Sequence, residues 1–397
     1  MKLKCIPEDF VVTELADRTP SEGGFGLYRL TKRSIGTPEA LQILRRSWNL
    51  PAGRISHGGM KDRHAVTTQF VTIRSGPKAP FEHKLFRLDY LGPTPKAFAA
   101  ADISGNRFEI AVRSLSEDDC RLAIQKAEQT AQTGFPNYFD EQRFGSLGPS
   151  QEFVAAKWCL KDYERALWLA LAEHNRHDDA DERGQKQILR DHWNNWAECK
   201  SLLNRSHRRS VVTYLVDHPD GFRKAFGLLN SDLRGIFLSA FQSAVWNRMT
   251  ALKIDQSVSG SQSPEICPSA KIGDAELPFP DLSAVTPSQP LDLPLPSARC
   301  KGLTEELSEL CRQALAPYDM TLSQMKLSFP RDRWFSRGLR RCIVMPNNLQ
   351  CSEGDDERYA GRRKVTLTFD LPRGSYATML IKTLFDTSDR NPGRHQA

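Results

Sequence analysis

Hydrophobic and polar residues alternate most strictly near the C-terminal end of the chain. In VTLTFDL, Val365, Leu367, Phe369 and Leu371 are separated by Thr366, Thr368 and Asp370. A two-residue period puts one set of side chains on one face, so the segment predicts a half-buried strand. Pro372-Arg373-Gly374 supplies a turn after it, and Ser375 is the expected cap of a helix running to about Phe385. Nearer the start, AVTTQFVTI (65–73) is rich in β-branched residues and predicts a strand. Phe108, Ile110 and Val112 alternate with other residues after Gly105-Asn106, which predicts a turn feeding a second strand. Ser116 opens S-E-D-D, an N-cap with an acidic residue three positions on, and the helix it starts is expected to reach about Thr133 and stop at Gly134.

The period changes in the middle of the chain. From Phe153 to Ala172 and from Ile236 to Met249 the pattern is helical; Phe237, Phe241, Ala244, Val245 and Met249 recur at three- and four-residue spacing. Residues 256–299 break it with Pro264, Pro268, Pro278, Pro280, Pro287, Pro290, Pro294 and Pro296 among serines, which predicts a long loop or a partly disordered insertion. A short helix is expected over Thr304–Ala316, and residues 387–397 are expected to fray. A helical middle between two α+β ends suggests one domain inserted into another: 1–150 with 336–386 as a discontinuous domain, and 151–335 as the insert.

Composition adds limits. With 397 residues, 39% hydrophobic and 26% charged, the chain reads as an ordinary globular protein able to bury a large core. The 55 Lys+Arg exceed the 48 Asp+Glu by 7, which permits a polyanionic partner without demanding one. Nine cysteines, an odd number with no Cys-x-x-Cys pair, predict a reduced protein without a zinc knuckle. MKLKCIPEDF has no apolar signal-peptide stretch, and no run approaches the roughly 20 apolar residues of a membrane helix, so the cytoplasm is the expected compartment. A phosphate-binding glycine loop, an H-E-x-x-H motif and a G-x-S-x-G elbow are all absent from the sequence.

Three segments carry candidate chemistry. HGGMKDRHAVTTQ (57–69) sets Gly58 and Gly59 before Lys61-Asp62 and a strand, where glycines allow close approach or positive φ and a carboxylate sits at a loop-to-strand junction. GFPNYFDEQRFG (134–145) interleaves Phe135, Tyr138, Phe139 and Phe144 with Asn137, Gln142 and Arg143, residue types that stack a base and read its edge. LPRGSYATM (371–379) ends a strand and starts a helix beside Tyr376. Basic clusters at 205–209, 337–341 and 358–364 offer Arg208, Arg209, Arg340 and Arg362 as phosphate contacts. His174, His177 and His192 lie in a polar stretch and are not expected to bind a metal.

Together and in this order, KCIPEDFVVTE (4–14), GGMKDRHAVTTQ (58–69), GNRFEI (105–110), GFPNYFDEQRFG (134–145), SAFQSAVWN (239–247), RRCIVMP (340–346) and LPRGSYAT (371–378) resemble the TruD family of pseudouridine synthases. The family pattern G-x-K-D-x-x-A-x-T-x-Q is met by Gly59, Lys61, Asp62, Ala65, Thr67 and Gln69. The resemblance implies an α+β catalytic domain with a mixed, mostly antiparallel sheet, interrupted by a family-specific inserted domain. It implies isomerisation of a uridine to pseudouridine in RNA, with position 13 of tRNA as the usual bacterial target. Asp62 matches the catalytic aspartate and Lys4 a basic residue near it. Phe10, Asn137, Phe139 and Tyr376 match positions that hold the target uridine. The chemistry needs neither metal nor redox cofactor. RNA is the expected partner, rather than DNA or membrane, and a monomer the expected state. The rival reading is a non-catalytic RNA-binding or RNA-chaperone protein on the same scaffold.

Overall fold

The computed structural model describes residues 1–51, 53–176, 178–258, 268–283, 291–327 and 334–385. Contacts divide them into two compact units, Met1–Phe135 with Val344–Phe385, and Pro136–Ile343. The chain passes between them at 135/136 and 343/344, where the sequence reading put the boundaries near 150 and 336.

The first unit is built on one nine-stranded sheet. In chain order its elements are β1 (Phe10–Leu15), β2 (Phe25–Arg33), α1 (Thr37–Ser47), β3 (Ile55–His57), β4 (Val66–Arg74), β5 (Phe81–His83), β6 (Phe86–Thr94), β7 (Gly105–Leu115) and α2 (Glu117–Thr133), followed by strands Asn347–Asp355 and Arg363–Pro372 and helix Ala377–Leu384. Across the sheet the order is Asn347–Asp355, Arg363–Pro372, β7, β1, β4, β2, β6, β5. β1 and β4 run parallel, with Val12 opposite Thr67. The other pairings are antiparallel. The fold is therefore α+β on a mixed sheet.

Much of this follows from the pattern. Val365, Leu367, Phe369 and Leu371 are all buried, as their alternation requires. Ser116 and Asp119 cap α2 reciprocally: the Asp119 amide donates to Ser116 Oγ at 3.1 Å, and the Ser116 amide to Asp119 Oδ2 at 2.9 Å. Gly134 ends the helix at φ +77°.

Two expectations are corrected here, and one alternative for a third is excluded. Gly105-Asn106 is not a turn but the first two residues of β7, paired with Leu15 and Glu14. A Cβ on Gly105 would lie 2.4 Å from the Leu371 carbonyl, so the glycine serves close strand approach. Ser375 is not the helix cap; Tyr376 holds that position without a side-chain cap bond. Gly58 and Gly59 do not adopt positive φ. Instead, a Cβ at Gly58 would come 2.4 Å from Ile103 Cδ1 and 3.0 Å from Phe98, while Gly59 faces open space.

The second unit is organised by one 28-residue helix, Ser231–Val258. Ala240 to Asn247 are buried without interruption, so it is a core helix rather than an amphipathic one. It packs against Val154–Cys159, Glu305–Leu315 and a small hairpin, Ser269–Ile272 with Ala275–Pro278. The helical run expected from Phe153 to Ala172 is two helices, Val154–Cys159 and Tyr163–Leu171, divided at Lys161 (φ +65°) with Asp162 capping the second. The predicted 256–299 loop is in part strand: the hairpin turns at Gly273 (φ +65°), and Asp292–Pro294 pairs with Leu339–Arg341. Backbone pairing with a distant segment stabilises these short strands, and their prolines fall at strand ends. Residues 259–267, 284–290 and 387–397 and His177, on which other expectations fell, lie outside the described residues.

Candidate active site

In the first unit, register gathers one set of side chains on a single face of the sheet. Val12 stands beside Thr67, Thr67 beside Lys32, Gln69 beside Leu30, and Val71 beside Tyr28. Phe10 and Glu14 share this face by the two-residue period. At one end, α1 covers it with Ala40 and Leu44 over Tyr28, Leu30, Val71 and Ile73. Beyond α1 the face changes from apolar to polar. There the loop between β3 and β4, residues 58–65, crosses it with Asp62.

The loop lies here because β1 and β3 share one edge of β4. β1 pairs with Val66–Thr68 and β3 with Val71–Ile73. The gap leaves the Phe70 amide without a strand partner, and buried Glu14 fills it, Oε1 accepting at 2.9 Å. The other oxygen of Glu14 is 3.3 Å from Lys61 Nζ, which also donates to Asn106 Oδ1 at 2.5 Å. Lys61 thus points toward β1 and β7.

The loop backbone is held by buried polar groups. The Lys61 amide donates to Thr37 Oγ1 (3.0 Å), Thr37 Oγ1 to Gln69 Oε1 (2.7 Å), and Gln69 Nε2 to the Gly59 carbonyl (3.1 Å), which closes a ring of hydrogen bonds. Lys32, 1% exposed, donates to the carbonyls of Ile35 (2.8 Å), Lys61 (3.2 Å) and Asp62 (2.6 Å). Burial pushes the Lys32 ammonium down to about 8; the negative charges of Asp62 and Glu39 act the other way, while Lys61 adds to the fall.

With its backbone fixed, Asp62 presents its carboxylate at the surface. Oδ2 lies 3.0 Å from Lys4 Nζ, and each side chain is 32% exposed. Lys4 Nζ also sits 4.0 Å from the centre of the Phe10 ring, a cation–π contact. Lys4 has φ +53°, an uncommon conformation for lysine. The chain before it is fixed by paired backbone bonds between Lys2 and Arg113, at 2.8 and 2.9 Å. Three of the residues singled out from sequence, Lys4, Phe10 and Asp62, therefore converge. Tyr376, half-buried, caps the helix after strand Arg363–Pro372. That strand places Leu371 opposite Asn106, the residue that Lys61 reaches.

Asn137 and Phe139 belong to the second unit, and both are buried. Asn137 Nδ2 donates to the Arg341 carbonyl (2.8 Å), and Arg340 Nη2 donates to Asn137 Oδ1 (2.9 Å) and to its carbonyl (2.7 Å). The Arg340 guanidinium stacks 4.0 Å from the Phe139 ring centre and 5.0 Å from that of Trp246. Asn247 holds the Phe139 backbone from both sides, accepting from its amide (2.8 Å) and donating to its carbonyl (2.9 Å). Arg208 pairs with Glu182 and its side chain is 12% exposed. Arg209 Nε donates to the Lys200 carbonyl at 2.9 Å. Arg362, in the first unit, is exposed. Among the described residues, no three His, Cys, Asp or Glu side chains are placed to hold a metal ion, and no helix is long and apolar enough to cross a membrane.

Sequence reading missed Lys32, Thr37, Glu14 and Asn247. A faint signal existed: each is polar at a position where the local period calls for an apolar residue. Gln69 was part of the motif but had no role.

Comparison with known proteins identifies the family and the fold. The family model described as tRNA pseudouridine synthase D (TruD) matches residues 1–384. The probable tRNA pseudouridine synthase D 1 of Methanococcus maripaludis is 26% identical over 395 residues, 97% of this chain and 100% of its own. The tRNA pseudouridine synthase D of Aquifex aeolicus is 27% identical over 400 residues, 97% of this chain and 98% of its own. A crystal structure titled as the TruD of Methanosarcina mazei superposes with a TM-score of 0.74 at 26% identity, covering 96% of this chain and 93% of that one. With the family model matched over residues 1–384 and its α+β fold shared with a solved relative, the chain belongs to the TruD family of tRNA pseudouridine synthases.

Proposed function

We propose that this protein converts uridine 13 of tRNA to pseudouridine, with Asp62 as the catalytic carboxylate. The observation that carries the reading is the Asp62 carboxylate itself: it is partly exposed, paired with Lys4 at 3.0 Å, and mounted on a loop whose backbone is tied down by Lys32, Thr37 and Gln69. The reaction breaks N1–C1′, turns the uracil and forms C5–C1′; C5 loses a proton and N1 gains one, so substrate and product are isomers. A carboxylate acts here as nucleophile or base only when ionised, and a cation at hydrogen-bond distance favours that form. Fixing the carboxylate before substrate arrives removes an entropic cost from the reaction.

Phe10 and Tyr376 supply rings for the extruded uracil, and Asn137 with Phe139 forms the second recognition element. Asn137 retains one N–H and one oxygen lone pair beyond the bonds that hold it, enough to read a base edge. Arg362 and Arg209 are the phosphate contacts, Arg208 and Arg340 being committed to Glu182 and Asn137. In this reading the chain acts as a cytoplasmic monomer on tRNA.

The test is incubation of the protein with tRNA from cells lacking this modification, followed by mapping of new pseudouridines. Activity at position 13, abolished by Asp62→Asn with RNA binding retained, is the expected result. Turnover in Asp62→Asn refutes the catalytic assignment; binding without turnover in the unaltered protein favours the RNA-binding alternative.

A further inference from the structure

Lys32 stands out among the buried charges of the first unit. It is central in the sheet: β2 pairs with β4 on one side and β6 on the other, and Lys32 lies opposite Thr67 and Phe86. A strand position buried on this face ordinarily takes an apolar residue, as Leu30 does two places earlier. A buried ammonium is costly unless each of its N–H groups is satisfied. The hydrogen-bond partners of Lys32 are three carbonyls, two of them on consecutive residues, Lys61 and Asp62. The third belongs to Ile35, just before α1. Its three N–H groups match three acceptors, and the shortest bond is to the main chain of Asp62 itself.

We infer that Lys32 is a positioning residue for the reaction, locking the main chain of Asp62 so that its carboxylate and Lys4 stay in productive geometry. The inference rests on Asp62 being the catalytic carboxylate and adds to it how that group is held.

Geometry then sets a limit in alkali. Only the ammonium has three N–H groups; the neutral amine has two, so one of the three carbonyls loses its donor on deprotonation. The charged groups facing Lys32 are Asp62 and Lys61 on the loop and Glu39 on α1. Burial outweighs the carboxylates and brings the ammonium to about 8, so the clamp weakens as pH rises past that value. Stability moves the opposite way. Between the folded value and the higher unfolded one, the unfolded chain binds more protons, so the Lys32 contribution to stability rises with pH. A purely structural lysine would not lower turnover over a range in which its contribution to stability increases.

The experiment compares the unaltered protein with Lys32→Met in single-turnover pseudouridine formation at saturating tRNA, between pH about 7 and about 9.5. Tight binding of the tRNA and the melting temperature are followed in parallel. Lys32→Met is expected to lower the rate about 10²-fold at neutral pH, the scale for a misplacement of about 1 Å, with tRNA affinity within about threefold. In the unaltered protein the rate should fall above pH about 8 without a matching fall in melting temperature, and this limb should be missing from Lys32→Met. Ionisation of uracil N3–H also lies in alkali, but it would leave the limb in both proteins. A Lys32→Met rate within about twofold of the unaltered protein overturns the inference, as does an alkaline limb common to both. Should Lys32→Met fail to fold, a flat rate profile of the unaltered protein through this range overturns it as well. The separate Asp62→Asn result tells the two readings apart: inactive Asp62→Asn beside fully active Lys32→Met leaves the catalytic assignment standing and removes only the clamp.

Discussion

The ring of hydrogen bonds under the Asp62 loop makes a prediction about coupling. Thr37→Val keeps the side-chain shape and deletes the hydroxyl that accepts from the Lys61 amide and donates to Gln69. Gln69→Leu deletes both the acceptor for Thr37 and the donor to the Gly59 carbonyl. Both residues are 0% exposed, so water does not replace the lost partners. At about 1 kcal/mol per bond, plus the cost of an orphaned buried group, each single change should destabilise the first unit by about 2–3 kcal/mol. The two share one bond, so the double variant should be less destabilised than the sum of the singles, by about 1–2 kcal/mol. For a unit of this size each single change lowers the melting temperature by about 5–10 °C. Calorimetry on the four proteins gives the cycle, and single-turnover kinetics gives its functional side. Both singles should lose at least about tenfold in rate while binding tRNA normally, since the loop and not the RNA surface has shifted. Additive destabilisation, or rates at the level of the unaltered protein, would refute the claim that this ring fixes the Asp62 loop.

Two further expectations are checked more simply. Asn137→Ala removes the bond to the Arg341 carbonyl and the side-chain acceptor of Arg340, so the second unit should lose about 1–3 kcal/mol and turnover should fall with tRNA affinity little changed; calorimetry and filter binding test this, and unaltered turnover would count against a base-holding role. Asp370 accepts two bonds from Arg107, at 2.7 and 2.9 Å, and these hold its carboxyl below the usual carboxylate range despite partial burial. A lowered folded value contributes stability above the unfolded value of about 4 that is lost as pH falls through the folded one. Arg107→Ala should therefore narrow the stability difference between neutral and acid pH, and equal acid sensitivity in urea titrations of both proteins would exclude the pairing as a contributor.

The sequence by itself determined the elements whose signals are local. The Val365–Leu371 strand needs only a two-residue period, and α2 only its capping pair and a terminal glycine. Asp62 and Lys4 were legible through a motif rather than through geometry, because 58 residues separate them and only the sheet brings them to 3.0 Å. Tertiary structure decided the rest wherever a residue's environment comes from a distant strand. Gly105 looks like a turn glycine until the Leu371 carbonyl is set against it. The prolines after residue 256 look like a loop until Asp292–Pro294 finds Leu339–Arg341. Lys32, Thr37, Glu14 and Gln69 are ordinary polar letters in the chain; they become the support of one carboxylate because β1 and β3 leave a gap on β4 and the loop crosses the polar end of that face. A pattern along one chain records which way a side chain points. What it meets there depends on register between strands, and that is fixed only when the whole sheet forms.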